Sequence, residues 1–440
     1  MKNFSPFGLV VPEILLPKKE IALKQWAVVA CDQYTQDREY WKHSEAEAAG
    51  ASTLHLILPE VYLNDHDKPQ RIAQIRSAMK SYLEEGIFRE PYKGFIYLER
   101  TTQYGRVRKG LMVAVDLESY EWKPFSKALI RATEATIPDR IPPRMEIRRG
   151  AALELPHIML LVNDKAGVLV EACGKSVKSQ SVAPLYQGDL MMNAGSIVGY
   201  PVDGSLLDDC YTALEQLAQE NTSAPGDTFL FAVGDGNHSL ATAKAVWDEF
   251  KEKELAAGKR QADLENCALR YAMVEIVNIY DEGLTFEPIH RVLFGVDAAS
   301  VMDFCQSKLG GVVEVVASAE ELAGLVENST NNFGFVFVDA AGKQHFYCLK
   351  TEIKELAVSR LQPVLDEFLA GKDGSEIDYI HGSDEVFRLG SQDGALSILL
   401  PPVAKDSFFA TIGGGGPLPR KSFSMGEASE KRFYLEARRI

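Results

Sequence analysis

The sequence lacks the cysteine and histidine spacings of metal sites and the long apolar runs of membrane spans. Its eight histidines include no His-x-x-x-His pair, and no two of its cysteines form a Cys-x-x-Cys pair. Such spacings are typical of helical metalloprotease sites and structural zinc sites. No apolar run approaches the ~20 residues that a membrane helix needs. We therefore expect reduced, scattered thiols and no membrane partner. The cysteines are Cys31, Cys173, Cys210, Cys267, Cys305 and Cys348.

Positive charge is also scarce. Lysine and arginine number 47 against 62 aspartates and glutamates, so the formal net charge is 47 − 62 = −15. A chain this acidic repels a phosphate backbone, which predicts no nucleic-acid partner. Residues 1–6 contain no apolar stretch of a secretory signal, and we therefore expect a cytoplasmic protein. The Walker P-loop pattern and the Gly-x-Ser-x-Gly elbow are both absent.

What remains is an ordinary globular composition, 46% hydrophobic and 25% charged, in 440 residues. At about 100–200 residues per domain this length predicts two or three domains. Strand-like pairs alternate with strand-helix units, which favours a mixed α/β, α+β-like fold over a pure Rossmann sheet. After Gly295 the composition shifts towards Ala, Val, Glu and Asp. We therefore predict an α/β domain over residues 1–295 and a C-terminal α+β domain over 296–440.

Local patterns predict several elements. Apolar residues at three- and four-residue intervals predict a helix over 68–86, ended by Gly86. Residues 53–58 form an apolar run closed by a proline. The apolar stretches 157–162 and 168–170 flank an Asp-Lys-Ala-Gly sequence that is typical of a hairpin turn. Residues 228–233 read as a buried strand that leads through a glycine turn into a helix over about 239–255.

The sharpest feature is this strand-to-helix junction, which reads Gly234-Asp235-Gly236-Asn237-His238-Ser239. Two glycines allow a tight turn and a close approach of the backbone to a ligand. A helix N-terminus offers free N–H groups and a partial positive charge, so it suits an anion. Asp235 could hold Mg²⁺ or accept a proton, and His238 and Ser239 would add donors. The alternative is a plain Asp-Gly turn with Asn237 as the helix N-cap.

A second feature is the cluster of five arginines between Ile130 and Arg149, with three prolines that argue against a regular helix across the middle. Arginine offers a rigid pair of donors suited to phosphate or carboxylate. The alternative is a surface loop whose arginines pair with neighbouring acids. Candidate ligand contacts here are Arg131, Glu134, Arg140, Arg144 and Arg148.

Weaker candidates lie further along the chain. His290 and Arg291 follow Glu287-Pro288 in a polar cluster at a strand edge, where a lone histidine is usually structural. Lys421 follows the glycine run 413–416, which could be a mobile lid with basic residues or a loose connection. We include His290, Arg291 and Lys421 among the candidate ligand contacts.

Five long strings together resemble a bacterial family, the one numbered ten-fifteen among the domains of unknown function. The strings span residues 130–148, 154–159, 231–244, 287–291 and 418–427. Members of that family usually carry Asp-Gly-His-His-Arg at the strand-helix junction. This chain keeps Asp235, Gly236 and His238 but has Asn237 and Ser239 at the other two positions.

The family motif is similar to the phosphate-binding Gly-x-His-Arg motif of the ParB and sulfiredoxin superfamily, which includes a free-serine kinase. The resemblance implies a ParB/sulfiredoxin-like core with ATP or ADP held at the helix N-terminus. Because Ser239 replaces the arginine, another arginine from the 131–149 segment would have to supply its role. The reactive cysteine of sulfiredoxin has no counterpart between Gly234 and Ser239.

These patterns predict a small anionic ligand and, as the leading function, phosphoryl transfer to or from a hydroxy or amino acid; the resemblance implies serine or phosphoserine as the substrate class. We expect Asp235 to act on Mg²⁺ or a substrate hydroxyl and His238 to act on a phosphate oxygen. The alternative is a binding protein that senses a nucleotide or phosphate without turnover. A ParB-like DNA clamp is disfavoured by the net charge of −15.

Overall fold

The computed structural model describes residues 2–372 and 374–440. They form two compact units. The first comprises the chain up to Leu284 together with Glu427–Ile440, and the second comprises Thr285–Gly426. The predicted boundary at 295/296 therefore lies inside the second unit, within the bend after a strand. The composition shift after Gly295 gave no sign that the last residues return to the first unit.

Helices and strands alternate along both units. The helices are α1 (Leu23–Trp26), α2 (Arg38–Glu47), α3 (Lys68–Glu84), α4 (Ile141–Arg148), α5 (Val170–Ser179), α6 (Gly204–Glu220), α7 (Asn237–Ala256), α8 (Ala298–Leu309), α9 (Ala319–Glu327), α10 (Ala357–Leu369), α11 (Ser383–Leu389) and α12 (Lys405–Gly415). None of the helices among the described residues combines the length and apolar character that crossing a membrane requires.

The strands are β1 (Leu9–Val10), β2 (Glu13–Ile14), β3 (Val28–Val29), β4 (Tyr92–Lys93), β5 (Phe95–Thr102), β6 (Val107–Asp116), β7 (Tyr120–Glu121), β8 (Ile130–Ala132), β9 (Leu153–Glu154), β10 (Met159–Val162), β11 (Tyr186–Asp189), β12 (Gly195–Val202), β13 (Thr222–Ala224), β14 (Asp227–Thr228), β15 (Phe231–Asp235), β16 (Tyr271–Asn278), β17 (Phe286–Phe294), β18 (Val312–Val316), β19 (Asn332–Val338), β20 (Gln344–Lys350), β21 (Glu376–His381), β22 (Ala395–Leu399), β23 (Phe423–Met425), β24 (Phe433–Tyr434) and β25 (Arg438–Arg439).

The first unit is built on a ten-stranded mixed sheet in the order β11-β12-β5-β6-β16-β10-β15-β8-β7, with β1 added to β6. Strands β10 and β16 run parallel, and so do β15 and β8, whereas β10 and β15 are antiparallel. The predicted mixed α/β fold is therefore confirmed. The more specific prediction of a ParB/sulfiredoxin-like core stays a prediction.

Both faces of this sheet are buried, which explains the nearly continuous apolar runs of its central strands. In β6, Leu111, Val113 and Val115 pack on one side with residues of α5, α6 and α7. Met112 and Ala114 point to the other side, where α3, the N-terminal segments and β24 supply the core. Side chains alternate across a strand, so one sequence serves two cores.

The second unit is an antiparallel sheet in the order β18-β20-β19-β22-β17-β21, with β23 on β17. A small core of valine, leucine and cysteine side chains lies between this sheet, α9 and α11. The six cysteines of the two units are free thiols.

The predicted hairpin between residues 157 and 170 was wrong for a physical reason. The stretches 157–162 and 168–170 do not form a hairpin, because β10 pairs with β15 and β16 and the second stretch leads into α5. The turn is real, but Asp164 uses its carboxylate to accept the backbone N–H groups of Val168 and Leu169 just before the helix. The apolar run 53–58 begins as a 3-10 helix, Thr53–Leu56.

The proline-rich segment also differs from the prediction. Residues 141–148 form the regular helix α4, with Pro142 and Pro143 in its first turn. Proline is tolerated there because the first N–H groups of a helix have no intrahelical acceptor. The segment therefore presents its arginines from a helix that packs against α7 through Ile141 and Met145.

Candidate functional site

The junction between β15 and α7 forms the tight turn that the sequence predicts. Gly236 is the helix N-cap with φ +80, a left-handed conformation that favours glycine. A Cβ at this position would lie 3.0–3.1 Å from atoms of Ile158. The pairing of β15 with β10 shifts at Gly234, since Met159 pairs with Asp235 and Leu160 with Val233. Such a bulge re-aims the side chains that follow it.

The first turn of α7 leaves backbone donors open. The N–H of Leu240 bonds to the carbonyl of Gly236 and starts the helical ladder. No side chain caps the N-terminus, and within the described residues the N–H groups of Asn237, His238 and Ser239 have no acceptor. A 20-residue helix with an open first turn carries a partial positive charge at this end.

Asn237 is not the N-cap. Its side-chain amide accepts from the Thr133 N–H at 3.2 Å and donates to Thr133 Oγ1 and to the Val233 carbonyl, both at 3.3 Å. Thr133 Oγ1 donates to the same carbonyl at 2.5 Å. These bonds fasten the segment after β8, including the neighbouring Glu134, to the end of β15. Asn237 therefore shapes the turn with its side chain.

His238 is held as a neutral imidazole. Its Nε2 accepts the N–H of Ile137 at 3.3 Å, which leaves Nδ1 as the N–H donor. Burial, followed by the positive charges of Arg144 and Arg140, lowers the pKa of His238 to about 4 against an opposing effect of Asp32. At neutral pH the ring can donate one hydrogen bond to an anion, and it carries no charge.

Asp235 is paired with a lysine from the C-terminal segment. Its Oδ1 accepts the N–H of Gly236 at 3.0 Å, and its Oδ2 lies 3.3 Å from Lys431 Nζ. The Lys431 residue is only 8% exposed. Both carboxylate oxygens thus have partners, and a buried cation lies directly beside the turn.

This arrangement does not fit a resident magnesium ion on Asp235. Within residues 2–372 and 374–440 no group of three or more histidine, cysteine, aspartate and glutamate side chains could hold a metal. Lys431 already supplies the positive charge on the free side of the carboxylate. Mg²⁺ commonly binds through one or two carboxylates plus substrate phosphates, so the predicted ion would have to arrive with a phosphate ligand.

Two of the predicted arginines lie near His238. Arg144 forms a two-pronged ion pair with Glu60, through Nε at 2.9 Å and through Nη2. Arg140 is exposed and has no ion pair or side-chain hydrogen bond among the described residues. Its charge nevertheless reaches the His238 ring and lowers the pKa there. Arg140 is therefore the arginine whose guanidinium remains available to a ligand.

The other two arginines are committed elsewhere in the first unit. Arg131 donates to Asp227 at 2.5 Å and to the Ala128 carbonyl, and its guanidinium lies over the Phe229 ring. Asp227 and Phe229 precede β15, at the opposite end of the strand from Asp235. Arg148 donates to Glu154 at 2.6 Å. Both arginines therefore form ion pairs, as in the alternative interpretation, but with Asp227 and Glu154 rather than with the acids of their own segment.

A second polar cluster borders His238. Asp32 Oδ1 accepts from Gln33, and Oδ2 lies 3.9 Å from His157 Nε2. His157 Nδ1 is 2.9 Å from the Tyr434 hydroxyl, which also contacts Cys31 Sγ at 3.0 Å. Burial raises the pKa of the Cys31 thiol, and Asp32 raises it further. The thiol is therefore protonated at neutral pH and is not a nucleophile.

His290, Arg291 and Lys421 belong to the second unit. His290 Nδ1 accepts the Leu400 N–H at 3.0 Å, and its pKa is lowered to about 4, chiefly by burial and then by Arg291. Arg291 is fully buried and donates to Gln362 at 2.7 Å. Lys421 is exposed in a left-handed conformation, φ +58. These contacts give His290 and Arg291 packing roles within their own sheet.

The residues that sequence reasoning missed are Lys431, Asp32, His157 and Glu60. A signal existed for Asp32, because Cys31-Asp32 directly follows the apolar run 26–30, and polar residues at the end of a buried strand are candidates for a site. His157 lies two residues before β10, whose first residue pairs with Asp235. No sequence pattern could place Lys431 at the site, because it is 196 positions after Asp235 (431 − 235).

Comparison with known proteins gives a family without an assigned activity. The model of the family described as "Protein of unknown function (DUF1015)" matches residues 14–368. None of the curated proteins compared with the chain matches it.

Solved structures resemble this chain at low sequence identity and low TM-score. A conserved hypothetical protein from Pyrococcus furiosus is 12% identical with a TM-score of 0.34, covering 75% of this chain and 94% of that one. A free serine kinase in complex with AMP is 11% identical with a TM-score of 0.36, covering 74% and 90%. A mutant free serine kinase in complex with ADP is 11% identical with a TM-score of 0.37, covering 74% and 91%. Scores of this size do not establish a shared fold, so any function must be argued from the residues of this chain.

Proposed function

Since the chain belongs to the DUF1015 family of proteins of unknown function, we propose from the geometry of its site that it binds the phosphate groups of a nucleotide at the N-terminus of α7. We propose further that it transfers a phosphoryl group to or from a small hydroxy or amino acid. The observation that carries the proposal is the open first turn of α7 beside two cations, Lys431 and Arg140, in a protein of net charge −15.

Phosphoryl transfer needs positioning and charge neutralisation more than covalent chemistry by the protein. The N–H groups of Asn237 to Ser239 would hold phosphate oxygens, as helix N-termini do elsewhere. The neutral His238 would donate from Nδ1, while Lys431 and Arg140 would neutralise charge. The substrate class, serine or a similar acid, comes from the motif resemblance and is the least constrained part of the proposal.

A hydroxyl substrate must lose a proton when its oxygen bonds to phosphorus and the nucleotide leaves with the bridging oxygen. Asp32 is the better acceptor for that proton, because its Oδ2 has no lysine or arginine partner among the described residues and lies 3.9 Å from His157 Nε2. Asp235 is occupied on both oxygens by Gly236 and Lys431. We therefore move the role of proton acceptor from Asp235 to Asp32.

The experiment is a thermal-shift screen with ATP, ADP, AMP and inorganic phosphate, each with Mg²⁺ and with EDTA. It is followed by transfer assays from labelled ATP or ADP to serine and related hydroxy acids. We expect stabilisation by at least one phosphate compound and turnover with an acceptor. Asp32→Asn should reduce turnover by about 10²–10⁴-fold, the usual contribution of general-base catalysis, and leave nucleotide binding intact.

Glu249→Gln serves as the control, because Glu249 pairs with Arg149 in an exposed bridge of the same unit. Nucleotide binding without turnover on any acceptor would contradict the transferase. It would favour the second candidate, a nucleotide- or phosphate-sensing protein. The double engagement of Asp235 is the observation that favours that candidate. If no phosphate compound binds, both functions are wrong.

A further inference from the structure

The segment 427–440 is separated from the rest of its unit by the whole of Thr285–Gly426, and it brings Lys431 to the site. We infer that Lys431 is the phosphate-binding cation of this protein and that Asp235 is a positioning residue that aims it. This inference rests on the proposed function and names a residue to which neither the sequence motifs nor the family match assigns a role.

The backbone around Lys431 is fixed on both sides by buried ion pairs. Glu430 binds Arg106 at 2.5 Å, and its carbonyl accepts from Arg108 at 2.8 Å. Arg432, 1% exposed, binds Glu275 at 2.5 Å. Lysine normally has a flexible stem with a large rotamer entropy. Here the two neighbouring residues and the burial of the stem hold the ammonium in one place before a ligand arrives.

The Lys431 ammonium has more N–H donors than it has hydrogen-bond partners. A lysine carries three N–H donors and no acceptor. Within the part of the chain that the structure describes, the partner of Nζ is Asp235 Oδ2 at 3.3 Å. The site therefore combines a nine-tenths buried cation with unused donors and the open N–H groups of Asn237, His238 and Ser239. A buried ammonium and an open helix N-terminus are each common alone. Their presence at one turn favours a multiply charged oxyanion such as phosphate.

Asp235 and Lys431 also differ in how the fold holds them. Asp235 is the last residue of β15, so its place is fixed by the sheet and by its bond to the Gly236 N–H. Lys431 lies between two residues held by ion pairs, and its ammonium is placed by its contact with Asp235 Oδ2. Asp235 thus acts through Lys431, and it need not contact phosphate or metal.

The test compares ADP binding by calorimetry in EDTA and in Mg²⁺ for the wild-type chain and five variants. Lys431→Met removes the cation but leaves the half-buried Asp235 carboxylate without it, which can destabilise the fold. The double variant Lys431→Met with Asp235→Asn removes both charges and keeps the side-chain volumes similar. Lys431→Arg keeps the charge. Lys244→Met is the matched control, because Lys244 lies further along α7 and pairs with Asp248 at 3.0 Å.

We expect wild type to bind ADP in EDTA, and we expect the folded double variant to bind it about 10- to 100-fold more weakly, the loss typical of one charged hydrogen bond. Lys431→Arg should recover part of this loss, and Lys244→Met should stay within about twofold of wild type. A folded double variant that binds ADP as wild type does would overturn the role of Lys431 while leaving the proposed function standing.

Asp235→Asn alone separates a positioning role from a metal-ligand role. We expect it to weaken ADP binding by the same factor in EDTA and in Mg²⁺, because the Lys431 ammonium loses the carboxylate that positions it under both conditions. A loss confined to the Mg²⁺ measurement would show that Asp235 binds the ion and would overturn its positioning role. Failure of wild type to bind ADP, ATP, AMP or phosphate under any condition would remove the proposed function itself.

Discussion

At the scale of single residues, His238 shows how the environment sets chemistry. An exposed histidine would be partly charged near pH 6.5. Burial and the guanidiniums of Arg144 and Arg140 hold the pKa of His238 at about 4. The ring therefore stays neutral across the physiological range and offers the same hydrogen-bond donor at each pH, which suits a residue that orients a phosphate ligand.

The stability of the first unit should depend on pH through this residue. The unfolded chain protonates His238 near pH 6.5 and the folded protein only near pH 4, so protons favour unfolding as the pH falls from 6.5 to 4. Urea unfolding should show stability lost across that window. The amide oxygen of glutamine in His238→Gln can still accept the Ile137 N–H. This variant should therefore lose less stability than wild type over the same pH window. Because His290 has a similarly lowered pKa, His290→Gln is the necessary comparison. An NMR titration that places the His238 ring near pH 6.5 would contradict the burial argument.

At the scale of elements, the strand-turn-helix of β15 and α7 was the part of the site most open to sequence reasoning. An apolar run, two glycines and an Ala-rich amphipathic stretch are local signals, and the structure places the helix at Asn237–Ala256. The role of Asn237 was missed because its partners, Thr133 and Val233, include a residue 104 positions away. The helix α4 was missed because the positions of its prolines within the first turn depend on where the helix starts.

The conformation of Gly236 gives a prediction for the element. Alanine at φ +80 costs about 1–2 kcal/mol of left-handed strain, and its Cβ would also crowd Ile158 at 3.0 Å. Gly258, just beyond the other end of α7, has φ +93 but nothing within 4 Å of the corresponding Cβ. Gly236→Ala should therefore reduce the free energy of unfolding by more than Gly258→Ala does. It should also weaken ADP binding, which Gly258→Ala should not affect. Equal effects of the two substitutions on stability and binding would show that Ile158 yields freely.

At the scale of the whole molecule, a buried cluster of charged side chains joins two strands of the first unit, β6 and β16, to the segment 427–440. Glu275 is fully buried, with Arg108 at 3.2 Å and Arg432 at 2.5 Å. Burial by itself would raise the pKa of Glu275, but the two guanidiniums outweigh it and hold the pKa below its usual value. No local pattern could predict this cluster, since its members come from β6, β16 and the C-terminal segment.

Removing the Glu275 charge should be costly, because it leaves two buried guanidiniums short of a counter-charge. Breaking a buried ion pair typically costs about 3–5 kcal/mol, so we expect Glu275→Gln to lower the free energy of unfolding by that amount in urea. Glu249→Gln, at the exposed pair with Arg149, should change it by less than about 1 kcal/mol. Because the folded pKa of Glu275 is depressed, its contribution should be complete above about pH 4.3 and be lost as the pH falls through the folded pKa. A Glu275→Gln protein as stable as wild type would show that water reaches the cluster.

The return of residues 427–440 to the first unit has a consequence for biosynthesis. Translation proceeds from the N-terminus, so β3 lacks its strand partner β24, and Glu275 lacks Arg432, until residues 427–440 have been synthesised. The phosphate site proposed here is likewise incomplete until Lys431 arrives. A nascent chain would therefore acquire ligand binding only after the segment with Lys431 has left the ribosome, and a premature stop after Gly426 and before Lys431 would leave a protein without its binding cation.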